Sequence, residues 1–192
     1  MKIYGDIRSG NCLKVKYTAD HLNIPYIWEP VDVLGQESHT KQFLRLNPAG
    51  QVPVIELEDG RCLSQSNAIL QYLSEGSSLF STDCFEKGLI NQWLFWEQYS
   101  HEPYVAVCRF VMLYLRKPSE KRESWRVERG ITALDHLEST LGTRSWLVAE
   151  RLTIADISLL AYSRVAHEGG FDLDSLPNLR RWISRCESEL DI

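Results

Sequence analysis

Long apolar runs, paired cysteines and a surplus of positive charge are all missing from this 192-residue sequence. Each absence closes a class of function. No stretch approaches the ~18 uninterrupted apolar residues of a membrane-crossing helix, so no membrane role is expected. The opening Met1-Lys2-Ile3-Tyr4-Gly5 has neither the apolar run nor the small-residue cleavage site of a secretory leader. Five cysteines (Cys12, Cys62, Cys84, Cys108 and Cys186) form an odd, scattered set without a Cys-x-x-Cys pair. That pattern fits reduced thiols in the cytoplasm better than a disulfide framework or a zinc site, and no metal is expected. With 21 basic against 26 acidic residues, a formal net charge of −5, there is no cationic field to hold nucleic acid. Internal repeats and low-complexity tracts are absent. A chain of this length accommodates one large domain or two compact ones.

The grammar changes part-way along. Residues 1–75 alternate between strand and helix signals, 76–85 read as a linker, and 86–192 carry helical patterns only. In the first part, Lys2–Tyr4 opens as a strand and Asn11 to Leu22 reads as a helix. Tyr26–Glu29 is a second strand, which makes a βαβ unit with parallel strands. Val54–Leu57 and Arg61–Leu63 flank Glu58-Asp59-Gly60, and an Asp-Gly pair between apolar runs signals a hairpin. Ser66–Leu73 closes this part as a helix. Beyond the linker, helices are expected at about 86–116, 120–141, 154–167 and 178–189. Thr153-Ile154-Ala155-Asp156 is a capping box, in which the hydroxyl caps a free N–H and the carboxylate reaches back. That role accounts for Asp156 without any catalytic one. The fold class is therefore α/β followed by all-α.

The densest cluster of signals is Asn47-Pro48-Ala49-Gly50-Gln51-Val52-Pro53-Val54. Proline entering a strand cannot donate to the ladder, so Pro53 belongs at a strand start or an edge. A cis bond before it would turn the Val52 N–H and C=O outward, as a docking edge for an extended peptide. Downstream, Gln65-Ser66-Asn67-Ala68-Ile69 opens a helix; upstream, Ser9-Gly10-Asn11-Cys12 opens another. In that order and spacing these segments, with Thr153–Asp156, resemble the cytosolic glutathione transferase family over nearly the whole chain. The resemblance implies an N-terminal thioredoxin-like domain that binds glutathione as co-substrate, an all-helical C-terminal domain, and a homodimer.

It also implies roles. Ser66 and Gln65, at the helix start, would hold the γ-glutamyl end, where oriented N–H groups and the helix dipole favour a carboxylate. Gln65 departs from the commoner Glu, and Glu97 or Glu102 of another subunit is expected to supply the missing charge. Val52 and Pro53 form the docking edge; His39 and Gln51, with Lys41 as an alternative, would meet the glycyl carboxylate. For activating the thiol the order of expectation is Ser9, whose hydroxyl can stabilise a thiolate, then Asn11, then Cys12 as a reactive cysteine. Tyr4 is a further rival, and packing under the helix is the other reading of Cys12. The electrophile pocket is expected between the halves, near Trp96, Tyr99, Tyr104, Arg109 and Tyr114. The activity implied is conjugation of glutathione to a hydrophobic electrophile or reduction of a disulfide or peroxide. Glutathione-dependent isomerisation or dehalogenation, or a non-catalytic binding protein on the same fold, are the alternatives.

Overall fold

The computed structural model describes residues 1–192, which divide into two compact units, Met1–Ser77 and Ser78–Ile192. The first holds a four-stranded sheet in the order β2-β1-β3-β4. Strand β1 (Lys2–Gly5) runs parallel to β2 (Ile27–Pro30) and antiparallel to β3 (Val54–Glu56), which pairs antiparallel with β4 (Cys62–Ser64). The parallel pair follows from the crossover helix α1 (Gly10–His21). The antiparallel pair follows from the turn at Asp59-Gly60, where Gly60 takes φ +83°, a conformation a Cβ disfavours. A single turn, α2 (Phe43–Leu46), and α3 (Ser66–Ser74) complete the unit, and α3 packs against α1. Ile3, Val54 and Ile55 of the sheet and Val15, Ala19, Ile69 and Leu70 of the helices are all fully buried.

The second unit is helical throughout, as expected. From residue 84 to 114 the chain stays helical through α4 (Cys84–Trp96), a π segment (Glu97–His101), α5 (Glu102–Arg109) and a second π segment (Phe110–Tyr114). Pro103 stands in the first turn of α5, and without an N–H it cannot close an α-type bond onto residue 99. The widened turn falls just before it. Helix α6 (Ser124–Leu141) starts later than the sequence pattern predicts, because Ser119–Lys121 forms a separate 3₁₀ turn after Pro118. Helix α7 (Ile154–Ser163) ends earlier than predicted; the chain passes into a 3₁₀ turn at Ala166–Gly169 and then Gly170 at φ +76°. Helix α8 (Pro177–Leu190) ends the chain's secondary structure. No helix is long and apolar enough to cross a membrane.

Every residue of α7 is buried, the mark of a helix surrounded on all sides, and α4, α5 and α8 pack on it. Its N-terminus carries the predicted capping box. The Asp156 carboxylate accepts from the Thr153 N–H (3.0 Å) and hydroxyl (2.9 Å) through Oδ2. Through Oδ1 it accepts from the Leu147 N–H (3.0 Å) and Trp182 Nε1 (2.9 Å). Burial pushes this carboxyl up from the ordinary range while the four donors pull it back. Asp156 thus ties the loop before α7 and the middle of α8 to one helix end. Removing it leaves buried donors unsatisfied, so Asp156→Ala should lower the free energy of unfolding by about 3 kcal/mol or more, read from urea titration followed by tryptophan fluorescence.

Candidate functional site

The loop between β1 and α1 is braced before it reaches the helix. Asp6, nearly buried, accepts from the Arg8 backbone N–H (2.9 Å) and pairs with its guanidinium (3.3 Å). The Ser9 N–H then bonds the Asp6 carbonyl at 2.9 Å. This turn places Ser9 at the N-cap of α1 with extended backbone (φ −78°, ψ 121°), half-exposed, its hydroxyl making no capping bond. A hydroxyl there stands beside the first-turn N–H groups and the positive end of the helix dipole.

Two residues on, Asn11 joins α1 to α3. Its Oδ1 accepts from the Ser66 hydroxyl (3.1 Å) and from Lys14 Nζ (2.8 Å). Lys14 has no exposed surface, an unusual condition for a lysine. Its charge anchors the amide, and the amide anchors Ser66. Sequence reading missed Lys14 entirely; its only signal is the three-residue spacing from Asn11 that puts both on one helix face.

Ser66 is buried at the first position of α3, and the preceding Gln65 is exposed with φ +71° and ψ 110°. Such a backbone costs free energy in a non-glycine residue and persists only where the surrounding structure fixes it. The first intrahelical bond runs from the Ile69 N–H to the Gln65 carbonyl (3.0 Å), and a helix's first-turn N–H groups have no acceptor within the helix.

The segment before β3 contains the expected cis bond between Val52 and Pro53. Val52 packs on the cluster of Val31, Phe43 and Val54, with Pro53 buried and Gln51 exposed. Asn47, a motif residue to which no role was given from sequence, organises this loop. Its side chain donates to the Gln51 carbonyl (2.7 Å) and accepts from the Ala49 N–H (3.1 Å). Gly50 adopts φ +64°, and a Cβ on it would come within 2.6 Å of His39 Nδ1. The glycine therefore lets the His39 loop and the Gln51 loop approach, which brings these two candidate residues together on the surface. Lys41 is exposed on the same side of the motif in sequence.

Three expectations are corrected. Cys12 is fully buried, with Sγ 3.1 Å from where a Cβ on Gly5 would stand. Burial pushes its thiol up to about 12, against hydrogen bonds from the Ser9 side chain and the Asp6 backbone. A thiol so held is a packing group under α1, and the reactive-cysteine alternative is dropped. Tyr4 donates its hydroxyl to Glu56 (2.7 Å) and lies edge-on to Phe43, so it is committed within the sheet. Glu97 has no exposed surface and accepts from the Gln98 amide (2.8 Å), so it cannot reach a neighbouring subunit. Among the residues expected at the electrophile pocket, Arg109 is buried and paired with Glu168 at 2.5 Å. Tyr114 is buried and stacked on Phe110, Trp96 packs with Trp93 and His136, Tyr104 meets Trp125 edge-on, and Tyr99 is exposed. No group of three or more His, Cys, Asp or Glu side chains is arranged to hold a metal ion.

A small mixed sheet with Ser9 and Ser66 at two linked helix N-termini, followed by a helical unit with a capping box, defines a class of protein. Family models for the glutathione S-transferase N-terminal domain and C-terminal domain match residues 8–75 and 104–189. The chain belongs to the glutathione S-transferase family. It is similar to the crystal structure of a glutathione S-transferase from Pseudomonas fluorescens, with 49% identity, a TM-score of 0.94, and coverage of 97% of this chain and 94% of that one. A glutathione S-transferase from Xanthobacter autotrophicus gives 38% identity, a TM-score of 0.93, and coverage of 97% and 92%. Elongation factor 1-gamma from Sus scrofa is 34% identical over 161 residues, 79% of this chain and 36% of that protein. The chain thus spans about a third of the length of the curated relatives it matches.

The thiol environments carry a direct test. In the native protein a thiol reagent near pH 8 should modify exposed Cys62 and Cys84 and spare buried Cys12, Cys108 and Cys186, which should react only after denaturation. Peptide mapping by mass spectrometry reads this out, and rapid labelling of Cys12 would restore it as a nucleophile candidate.

Proposed function

We propose that the chain binds glutathione in its first unit and transfers the thiol to a hydrophobic electrophile, with Ser9 as the group that stabilises the thiolate. The observation that carries this is the bond between Asn11 and Ser66, which ties the start of α1 to the start of α3. Two helix N-termini so linked offer N–H donors and positive partial charge at two points, as a molecule with a carboxylate at one end and an ionising sulfur further along requires. In this reading the Ser66 N–H and the α3 dipole hold the γ-glutamyl carboxylate, and Gln65 contributes its amide. The Val52 backbone pairs with the peptide, and Gln51 with His39 faces the glycyl carboxylate. Asn11 positions Ser66 through its carbonyl oxygen, which accepts from Lys14 and Ser66, and its amide NH2 is the donor that would assist Ser9 at sulfur.

A homodimer belongs to the same proposal. Phe85, Phe95 and Tyr99 are each more than 70% exposed, and Gly88 and Gln92 between them are exposed too, at spacings that share one helix face. An apolar stripe of this kind marks an interaction surface, and a second copy of the chain is the occupant we assign. With Glu97 buried, the charge missing at Gln65 is not replaced by that residue. The relatives named elongation factor 1-gamma support a second reading, in which the same scaffold serves as an interaction module. Glutathione binding without turnover of any aryl halide, disulfide or peroxide would favour it.

If Ser9 stabilises the thiolate, Ser9→Ala should raise the pKa of bound glutathione by about one to two units, toward that of a free thiol. Conjugation to 1-chloro-2,4-dinitrobenzene at about pH 6.5 should fall by roughly one to two orders of magnitude and partly recover at about pH 9, with glutathione affinity nearly unchanged. An unaltered pH profile would remove Ser9 from the role. Separately, Phe95→Glu should convert a dimer to a monomer in sedimentation velocity without loss of helix content; a wild-type chain that sediments as a monomer at micromolar concentration overturns the dimer.

A further inference from the structure

A second cleft lies wholly within the helical unit, where α6 ends and α8 passes. It has a volume of about 220 Å³ and is lined by Arg144, Arg181, Arg185, Thr143, Ser145 and Asn178 among others, with no aspartate or glutamate in its wall. In a chain of net charge −5, three arginines lining one cleft whose wall holds no acid make a local surplus of positive charge. Asn178, Arg181 and Arg185 fall at i, i+3 and i+7 along α8, so one helix face presents them together.

The nearby acids already have partners, Glu138 through the wall residue Asn178 itself. Glu138 of α6 accepts from the Asn178 side chain (2.7 Å) and from the Leu179 N–H (2.8 Å) at the start of α8. Glu187 pairs with Arg164 at 2.8 Å. Two of the arginines are held in place by single backbone contacts. Arg185 donates one N–H to the Ser145 carbonyl (2.7 Å) and lies over the Trp146 ring, and Arg144 donates one to the Leu147 carbonyl (3.3 Å). A guanidinium has five donors, so most remain available on each. Arg181 is exposed and makes no hydrogen bond or ion pair within the chain.

We propose that this cleft is an anion site for a compact phosphate-bearing small molecule. Planar guanidinium forks match the oxygens of a phosphate, and several around one group give both charge and orientation. The volume is below the ~300–1,000 Å³ of sites that enclose a drug-sized ligand, so the recognised element is a phosphate group and its immediate substituent. The site uses none of the residues assigned to glutathione, and its test requires no turnover.

Binding of inorganic pyrophosphate, inorganic phosphate and glycerol phosphate to the full chain is measured by calorimetry, against sodium chloride at matched ionic strength. Saturable binding of at least one of these anions is expected. Arg181→Gln should weaken it by about tenfold, and Arg144→Gln by a similar factor. Because Arg181 has no partner to lose, its substitution should leave the melting temperature without anion unchanged or slightly higher. Arg180→Gln, next in sequence but paired with Asp174 outside the cleft, should leave affinity unaltered. Pyrophosphate and phosphate distinguish a free inorganic ligand from an ester, for which glycerol phosphate stands. The proposal is overturned if chloride reproduces the heat, if Arg181→Gln binds as tightly as the wild type, or if Arg180→Gln weakens binding equally.

Discussion

The carbonyl oxygen of one amide, that of Asn11, holds the candidate site together. It receives Ser66 from the start of α3 and Lys14 from the next turn of α1. Each helix alone would present a weak field, since a macrodipole is worth only ~0.3–1 kcal/mol at an exposed end. Two ends fixed in register are preorganised to act on different parts of one ligand, which lowers the cost of ordering them on binding. Lys14 carries the cost. A fully buried ammonium must be hydrogen-bonded, and its dependence on Asn11 makes the amide's position a condition of the fold as well as of binding.

The helical unit is organised by a different buried group used in the same way. Asp156 gathers donors from Thr153, Leu147 and Trp182, and through them a loop and a second helix. Both anchors are single polar side chains that satisfy several partners, Asp156 fully buried and Asn11 partly so. Buried polar groups of this kind contribute less to net stability than their bond count suggests, because desolvation offsets much of the gain. They restrict the alternatives, since any other packing of α7 or α1 would strand a charge. For the first unit the Asn11 anchor fixes where α3 begins, and with it the direction of its first-turn N–H groups.

Local signals were legible in the residues, and distant pairings were not. Asp59-Gly60 announced its hairpin because a positive φ is written into the residue type. Thr153–Asp156 announced a helix start because the capping box closes within four residues. The Asn-Pro-Ala-Gly-Gln-Val-Pro motif pointed to the cis bond before Pro53, yet Asn47's part in the loop emerged only with the fold. The burial of Cys12 depends on how close α1 passes over Gly5, and Tyr4's commitment depends on Glu56, fifty-two residues away. The boundary errors in the helical unit have physical causes as well. Pro118 and the separate 3₁₀ turn after it delay the start of α6, while Pro103 lies inside the helix expected over 86–116 and only widens a turn there. Gln65 gives no hint of its positive φ, since nothing in the side chain favours it; tertiary structure imposes it.

The distribution of burial explains why the family is legible while the chemistry has to be tested. Residues that define the fold, such as Ile3, Ile55, Ile69 and Leu160, are sealed from solvent, and replacing them opens cavities. Those that would touch a ligand are few and lie at the surface: Ser9 is half-exposed, and His39, Gln51 and Gln65 are exposed. Changing several of them would leave the core intact and the sequence similarity nearly untouched. That separation is consistent with one scaffold appearing both in proteins named glutathione S-transferase and in proteins named for translation elongation, at 49% and 34% identity to this chain. Identity over the core measures the retention of packing, and function on such a scaffold rests on a small group of surface donors. Here Ser9 is free of a capping duty and Ser66 is held by Asn11, while Gln65 brings an amide and no charge. Ser66 is fixed through Asn11 by a lysine without exposed surface, so the position of that donor is set by the packing of α1 against α3 and not by the surface around it.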